Sequence, residues 1–243
     1  MRTLYRKKVP LIHLLALVVF VFSLCPQGLN CYQKSKEVER VENSINVFKE
    51  LVDLPEEGIS PALLSRAEAI AVIPGFWNAA WVVGGRHGKG VIMVRKGPKN
   101  WSYPAFISMT GGSVGFQIGV QRADIILVFK DKKSVRTIAD GKFTLGAGAS
   151  VVAGPVGRTA EADTDIKFEA EIYSYSKSKG LFAGISVEGA SLSMDTDANA
   201  KFYRSFELTV GEILSKDSID SPILETELAA AKELIMIVNH FAR

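Results

Sequence analysis

Serines stand three residues ahead of lysines twice in one short run, Ser174 with Lys177 and Ser176 with Lys179, inside SYSKSKG. A lysine one helical turn from a serine can take its proton, and S-x-x-K is the spacing serine acyl-transfer enzymes use. That chemistry needs a helix, because residues three apart on a strand point to opposite faces. The flanking KFEAEIYSYS alternates as a strand, with Phe168, Ala170, Ile172, Ser174 and Ser176 on one side and Lys167, Glu169, Glu171, Tyr173 and Tyr175 on the other. The companion K-T-G and S-D-N motifs are absent from the chain. The same geometry gives the lysines another use. Lys177 and Lys179, two apart and ending at Gly180, share a face from which both ammonium groups can reach a phosphate-bearing surface, each contributing about 1 kcal/mol beside an anionic membrane.

Other stretches imitate binding chemistry. GAGASVVAGPVG, Gly146 to Gly157, is glycine-rich but does not fit G-x-G-x-x-G and has no Walker lysine after it, so its glycines serve turns or close strand approach. Asp195, Asp197 and Asn199 resemble the opening of a calcium loop without its glycine or distal glutamate, and helix capping is the better reading. Glu161, Asp163 and Asp165 form an acidic cluster that a solvated turn explains equally well. His13, His87 and His240 are scattered, and Cys25 and Cys31 are the only cysteines, so neither a zinc site nor a disulfide framework is expected in the fold. No cofactor and no catalytic grouping is expected. Arg158 after GPVG, and Arg86 and Lys89 in GGRHGKG, join Lys177 and Lys179 as candidate anion-binding residues on glycine-rich turns.

The elements that must position these residues fall in three parts. Val38, Val41, Ile45, Phe48, Leu51 and Val52 recur at helical spacing, and PALLSRAEAIAVI, opened by Ser60 and Pro61, reads as a second helix ending before Pro74. From Gly75 to about Asp195 the chain turns to short β-rich runs punctuated by glycine, with SVRTIAD as an inserted short helix. The end is helical again: Asp197 or Asn199 can cap a segment through Phe202, Tyr203 and Phe206, and PILETELAAAKELIMIVNHFAR follows. The expected class is α+β, an antiparallel β-rich core, either a sheet or a barrel-like sandwich, flanked by N- and C-terminal helices.

Ahead of the fold, Arg2, Arg6, Lys7 and Lys8 precede the apolar run LIHLLALVVFVFSL, the pattern of an export signal. Residues 1–31 are read as that signal, with Cys31 a candidate lipid attachment point, and residues 32–243 as one domain. Without those four cations the chain carries 25 basic against 26 acidic residues, which leaves no bulk charge for a nucleic-acid partner.

ISPALLSRAEAIAVIPGF, GGRHGKGVIMVR, WSYPAFISMTGGSVGFQIGVQRADIILVF, TLGAGASVVAGPVGR and YSYSKSKGLFAGISVEGASL occur in one order. In that order, over about Asn43 to Phe206, the chain resembles the SYLF domain family. The family pattern closes on Phe or Tyr, Tyr, Gly, whereas this chain has Phe202, Tyr203 and Arg204. The resemblance implies a binding domain and not an enzyme. Eukaryotic relatives, often joined to a Src-homology-3 or lipid-recognition domain, bind phosphoinositides and, in fungi, actin filaments; bacterial relatives are exported. An export signal before a lone domain is the bacterial arrangement. It implies an exported protein of the periplasm or outer membrane, either lipid-anchored at Cys31, cleaved and soluble, or held by the uncleaved segment, whose partner is anionic phospholipid or the envelope surface, and it weighs against actin. The alternative is a scaffold that docks an envelope protein through VENSINVFKELV or the C-terminal helix.

Overall fold

The computed structural model describes residues 34–54, 58–80, 83–114, 119–154, 170–178, 181–182 and 187–242. All elements below belong to the compact unit Ser35–Arg243. Helix α1 (Lys36–Val52) is followed by the short α2 (Pro61–Ser65). Five strands come next: β1 (Ala69–Ala80), β2 (Val83–Gly97), β3 (Asn100–Trp101), β4 (Ala105–Val114) and β5 (Gly119–Phe129). Helix α3 (Lys132–Asp140) precedes β6 (Lys142–Thr144), β7 (Val151–Ala153), β8 (Ile172–Ser178), β9 (Leu181–Phe182) and β10 (Ser191–Met194). Helices α4 (Thr196–Tyr203), α5 (Val210–Ser215) and α6 (Glu225–Phe241) close the chain.

The class is α+β, as expected, and the core is one sheet. Its order is β6-β10-β4-β2-β1-β5-β8-β7, with β3 on β2 and β9 on β8. All pairs are antiparallel except β7 with β8. The two outermost strands, β6 and β7, are joined by residues 145–150 alone. Laid flat, eight strands would hold their outer members about 34 Å apart, whereas so short a link reaches at most about 25 Å. The sheet therefore has to curl.

The second helix is much shorter than its composition suggests. Helix α2 stops at Ser65, and AIAVI begins the central strand β1, in which every residue from Ala69 to Ile73 is buried. A strand covered on both faces shows no polar alternation, so its sequence reads equally well as a helix. Pro74 and Gly75 lie inside the strand because the register slips between Ile73 and Phe76, and a bulge is where a strand tolerates a residue without a ladder N–H. Gly75 takes φ +60° and donates its N–H to Asp124 Oδ1 at 2.7 Å. Across from the slip, a Cβ on Gly90 would fall 2.0 Å from the Val72 carbonyl oxygen, which is why β1 and β2 can approach there.

Helices α1 and α6 pack on each other, with Phe48 and Phe241 rings 6.3 Å apart, and α1 lies on β1 and β2. The apolar face of VENSINVFKELV is thus spent on the core and is not a docking face: Val41, Ile45, Phe48 and Leu51 are all buried. Helix α4 is capped by Asp195, not by Asp197 or Asn199. The Asp195 side chain accepts the Ala198 N–H, while buried Asn199 clasps the backbone of Phe106, accepting its N–H at 2.9 Å and donating to its carbonyl at 3.2 Å. The helix ends at Arg204, which takes the left-handed φ of 52° that a glycine would adopt without strain. Among the described residues no helix is long and apolar enough to cross a membrane.

Candidate binding surface

Lys177 of the SYSKSKG run is withdrawn from the surface. Lys177 lies on β8 with 9% of its side chain exposed, and its Nζ sits 2.5 Å from Glu50 Oε1 of α1. It fastens helix to sheet. Ser174, on the other face of β8, donates to the Val152 carbonyl at 3.2 Å and stands away from Lys177, as strand geometry requires. Lys179, Arg158 and Cys31 lie outside the described residues, as do Glu161, Asp163 and Asp165.

Arg86 and Lys89 are likewise engaged. Arg86 Nη2 donates to the carbonyls of Gly112, at 3.1 Å, and Glu188, at 2.8 Å, bridging β4 to the turn before β10. Lys89 Nζ is 2.9 Å from Asp195 Oδ2, which also receives Arg40 Nη1 at 3.1 Å. Asp195 thus ties α1, β2 and α4 together. Burial by itself would raise its carboxyl, but the hydrogen bonds from Lys89, the Ala198 N–H and Arg40 outweigh that and hold it below the ordinary carboxylate value. Lys177, Arg86 and Lys89 therefore do not converge on one open face; each closes a contact between elements. Among the described residues no three metal-ligating side chains gather, and the Asp195 carboxylate is occupied by cations of the protein itself.

A groove that gathers cations around an apolar floor lies elsewhere. Between the end of β2, α3 and α5 runs an open groove of about 390 Å³. Helix α3 gives it Lys132, Val135, Arg136 and Ala139, three and four residues apart and so on one stripe. Helix α5 gives Leu214, and β2 gives Val94, Arg95 and Lys96. Val135 and Leu214 form a buried apolar floor. Asp131 holds the start of α3 by accepting the N–H groups of Lys133 and Ser134, which fixes where Lys132 and Arg136 project.

The cations around that floor differ in how firmly they are held. Arg95 is structural: its guanidinium donates to the carbonyls of Ala67, Leu64 and Ala242 and stacks on Trp101 at 4.7 Å. Burial lowers its affinity for a proton, against the opposing charge of Glu68. Lys96 is paired with Asp217, and Lys132 lies 3.2 Å from Glu68. Arg136 is exposed and makes no ion pair among the described residues. Sequence reading passed over all four. The Lys132–Arg136 spacing was visible within SVRTIAD and its preceding lysines, but Lys96 and Leu214 meet that helix only through the sheet.

Residues 110–240 match the family model described as "Ysc84: Las17-binding protein actin regulator". The chain belongs to that family. It is the family of the SYLF motifs, and the matched segment includes both helical walls of the groove. Over 193 residues the chain is 37% identical to SH3 domain-containing YSC84-like protein 1 of Xenopus laevis, covering 77% of this chain and 54% of that protein. It is 40% identical over 151 residues to Protein YSC84 of Saccharomyces cerevisiae, covering 61% and 32% respectively. LAS seventeen-binding protein 3 of the same yeast is 39% identical, covering 61% and 33%. The chain thus spans between a third and about half the length of these curated relatives.

Two expectations are corrected by these relatives. Actin was set aside as a partner and the periplasm or outer membrane was named as the location, both because a leader before a lone domain looked bacterial. The relatives are eukaryotic proteins named for SH3 domains and for binding Las17, within a family described as an actin regulator, so neither expectation stands.

Proposed function

We propose that this chain is a non-catalytic binding module of the actin-regulatory machinery, contacting actin or a Las17-type regulator. The observation that carries the reading is the family match across residues 110–240, in a domain whose relatives are named for what they bind. The fold supports it: of the candidate cations, the three among the described residues, Lys177, Arg86 and Lys89, tie elements together, while the groove keeps an apolar floor and an exposed cation, Arg136.

Co-sedimentation of the full chain with filamentous actin, alongside retention on immobilised Las17, tests this. Pelleting with filaments or retention on Las17 is expected; failure of both sinks the reading. Anionic phospholipid is the second reading, favoured by the exposed Lys132 and Arg136 one turn apart on α3. Flotation with phosphatidylserine vesicles that Arg136→Glu abolishes, together with no actin or Las17 binding, would replace the first reading by the second.

A further inference from the structure

We propose that the groove between β2, α3 and α5 seats an acidic peptide segment of a partner protein, one that places an apolar side chain on the Val135–Leu214 floor and carboxylates on Arg136, Lys132 and Lys96. The inference rests on the binding-module reading and adds where the partner binds and what its chemistry is.

The groove already shows how it receives carboxylates. Lys96 holds Asp217, whose side chain is 83% exposed and which Asn100 Nδ2 also approaches at 3.4 Å. Lys132 holds Glu68, with side chains 46% and 35% exposed. Glu68 and Asp217 are held at the water-exposed ends of these pairs, although the Lys96 stem is itself only 14% exposed, so an incoming carboxylate can exchange with them. Arg136 has no such occupant among the described residues and is the free end of the row. A planar guanidinium beside an apolar floor suits a carboxylate held in two-point contact, and about 390 Å³ lies in the range of pockets that take compact ligands.

The charges on the opposite wall decide what kind of anion fits. Asp217, held by Lys96 of the β2 wall, and Asp220 are exposed just beyond the end of α5. A uniformly negative plane would press against these acids as it neared Arg136. A narrow segment with carboxylates only along one side avoids them. Concavity points the same way, because the floor residues Val135 and Leu214 lie between the walls and are reached by a protruding side chain and not by a flat surface.

The test uses the full chain and a fluorescein-labelled twelve-residue peptide carrying two leucines four apart flanked by glutamates, with a glutamate-to-lysine version as control. Fluorescence anisotropy is read for the wild type, Arg136→Glu and Lys132→Glu, with circular dichroism and melting temperature confirming that each exposed substitution leaves the fold intact. Saturable binding of the acidic peptide, weakened at least tenfold by Arg136→Glu and absent for the lysine peptide, is expected. No binding of the acidic peptide, equal binding by Arg136→Glu, or equal binding of both peptides overturns the proposal. Binding of the wild-type chain to phosphatidylserine vesicles that displaces the acidic peptide and is lost with Arg136→Glu would assign the cations to a membrane and overturn it too. Actin and Las17 binding measured on the same samples separates the two levels: if either persists while the peptide is ignored, the groove assignment alone fails.

Discussion

Removing the Asp195 carboxylate perturbs three elements at once, and the structure indicates by how much. Asp195 and Arg40 have 11% and 14% of their side chains exposed, so the pair is largely shielded from water. Loss of one partner from a buried pair costs about 3–5 kcal/mol, and these groups, not being fully buried, belong near the lower end. The half-exposed Lys89 arm adds about 0–1 kcal/mol, and the cap on the Ala198 N–H about 1 kcal/mol. Asp195→Ala is therefore expected to destabilise by about 4 kcal/mol, and Asp195→Asn, which still caps, by about 3 kcal/mol. Urea denaturation at pH 7 gives both values. The pH dependence separates charge from packing. The native carboxyl titrates below its ordinary 3.8, so its contribution is complete above about pH 5 and is lost as pH falls through the depressed native value. The difference between wild type and Asp195→Asn should stay flat from pH 7 to 5 and shrink below 4. A difference under about 0.5 kcal/mol at pH 7, within the range of ordinary surface substitutions, or one unchanged down to pH 2.5, would refute the reasoning.

Three further outcomes follow from the packing. Gly90→Ala places a Cβ 2.0 Å from the Val72 carbonyl, backbone against backbone, and should lower the melting temperature by at least about 6 °C, the equivalent of about 2–3 kcal/mol of overpacking; a shift under 2 °C contradicts the close approach of β1 and β2. Arg204→Gly relieves the left-handed φ of 52° at the end of α4 and should stabilise by about 1 kcal/mol, read as a rise of about 2–4 °C. Glu50→Ala leaves Lys177 shielded without its partner and should destabilise by about 1–2 kcal/mol, whereas Lys177→Met, which keeps the packing stem, should change stability by less than about 1 kcal/mol in urea titrations.

What could be read from sequence depended on how far each contact reaches along the chain. Helix α1 was legible because one face of it is buried and the other wet, so Val38, Val41, Ile45 and Phe48 mark its period directly. Helix α3 was legible for the same reason. Strand β1 was not, since burial on both faces erases the period of two and leaves AIAVI looking helical. Strand β8 shows the intermediate case: its alternation is visible in the sequence, but not which side faces the core, and Tyr173 and Tyr175 both turn out buried. Tyr175 fills the space that Gly154 leaves open, where a Cβ would come within 2.1 Å of its Cζ, and burial pushes its phenol above the ordinary value. Tyr175 is answered by a glycine just past the end of the neighbouring strand β7.

The same reasoning explains why the candidate site moved. A cation's role is set by what stands opposite it, and nothing in SYSKSKG announces that Glu50, 127 residues earlier, stands opposite Lys177. The glycine-flanked cations stand out in the sequence, but what meets Arg86, Lys89 and Lys177 comes from elsewhere in the chain: the carbonyls of Gly112 and Glu188, the Asp195 cap of α4 and Glu50 of α1. The fold consumes these three. The groove cations lack such context. Lys132 and Arg136 sit on an ordinary amphipathic helix, and their distinction, an apolar floor beside a guanidinium that makes no ion pair among the described residues, exists only once β2 and α5 are set against that helix.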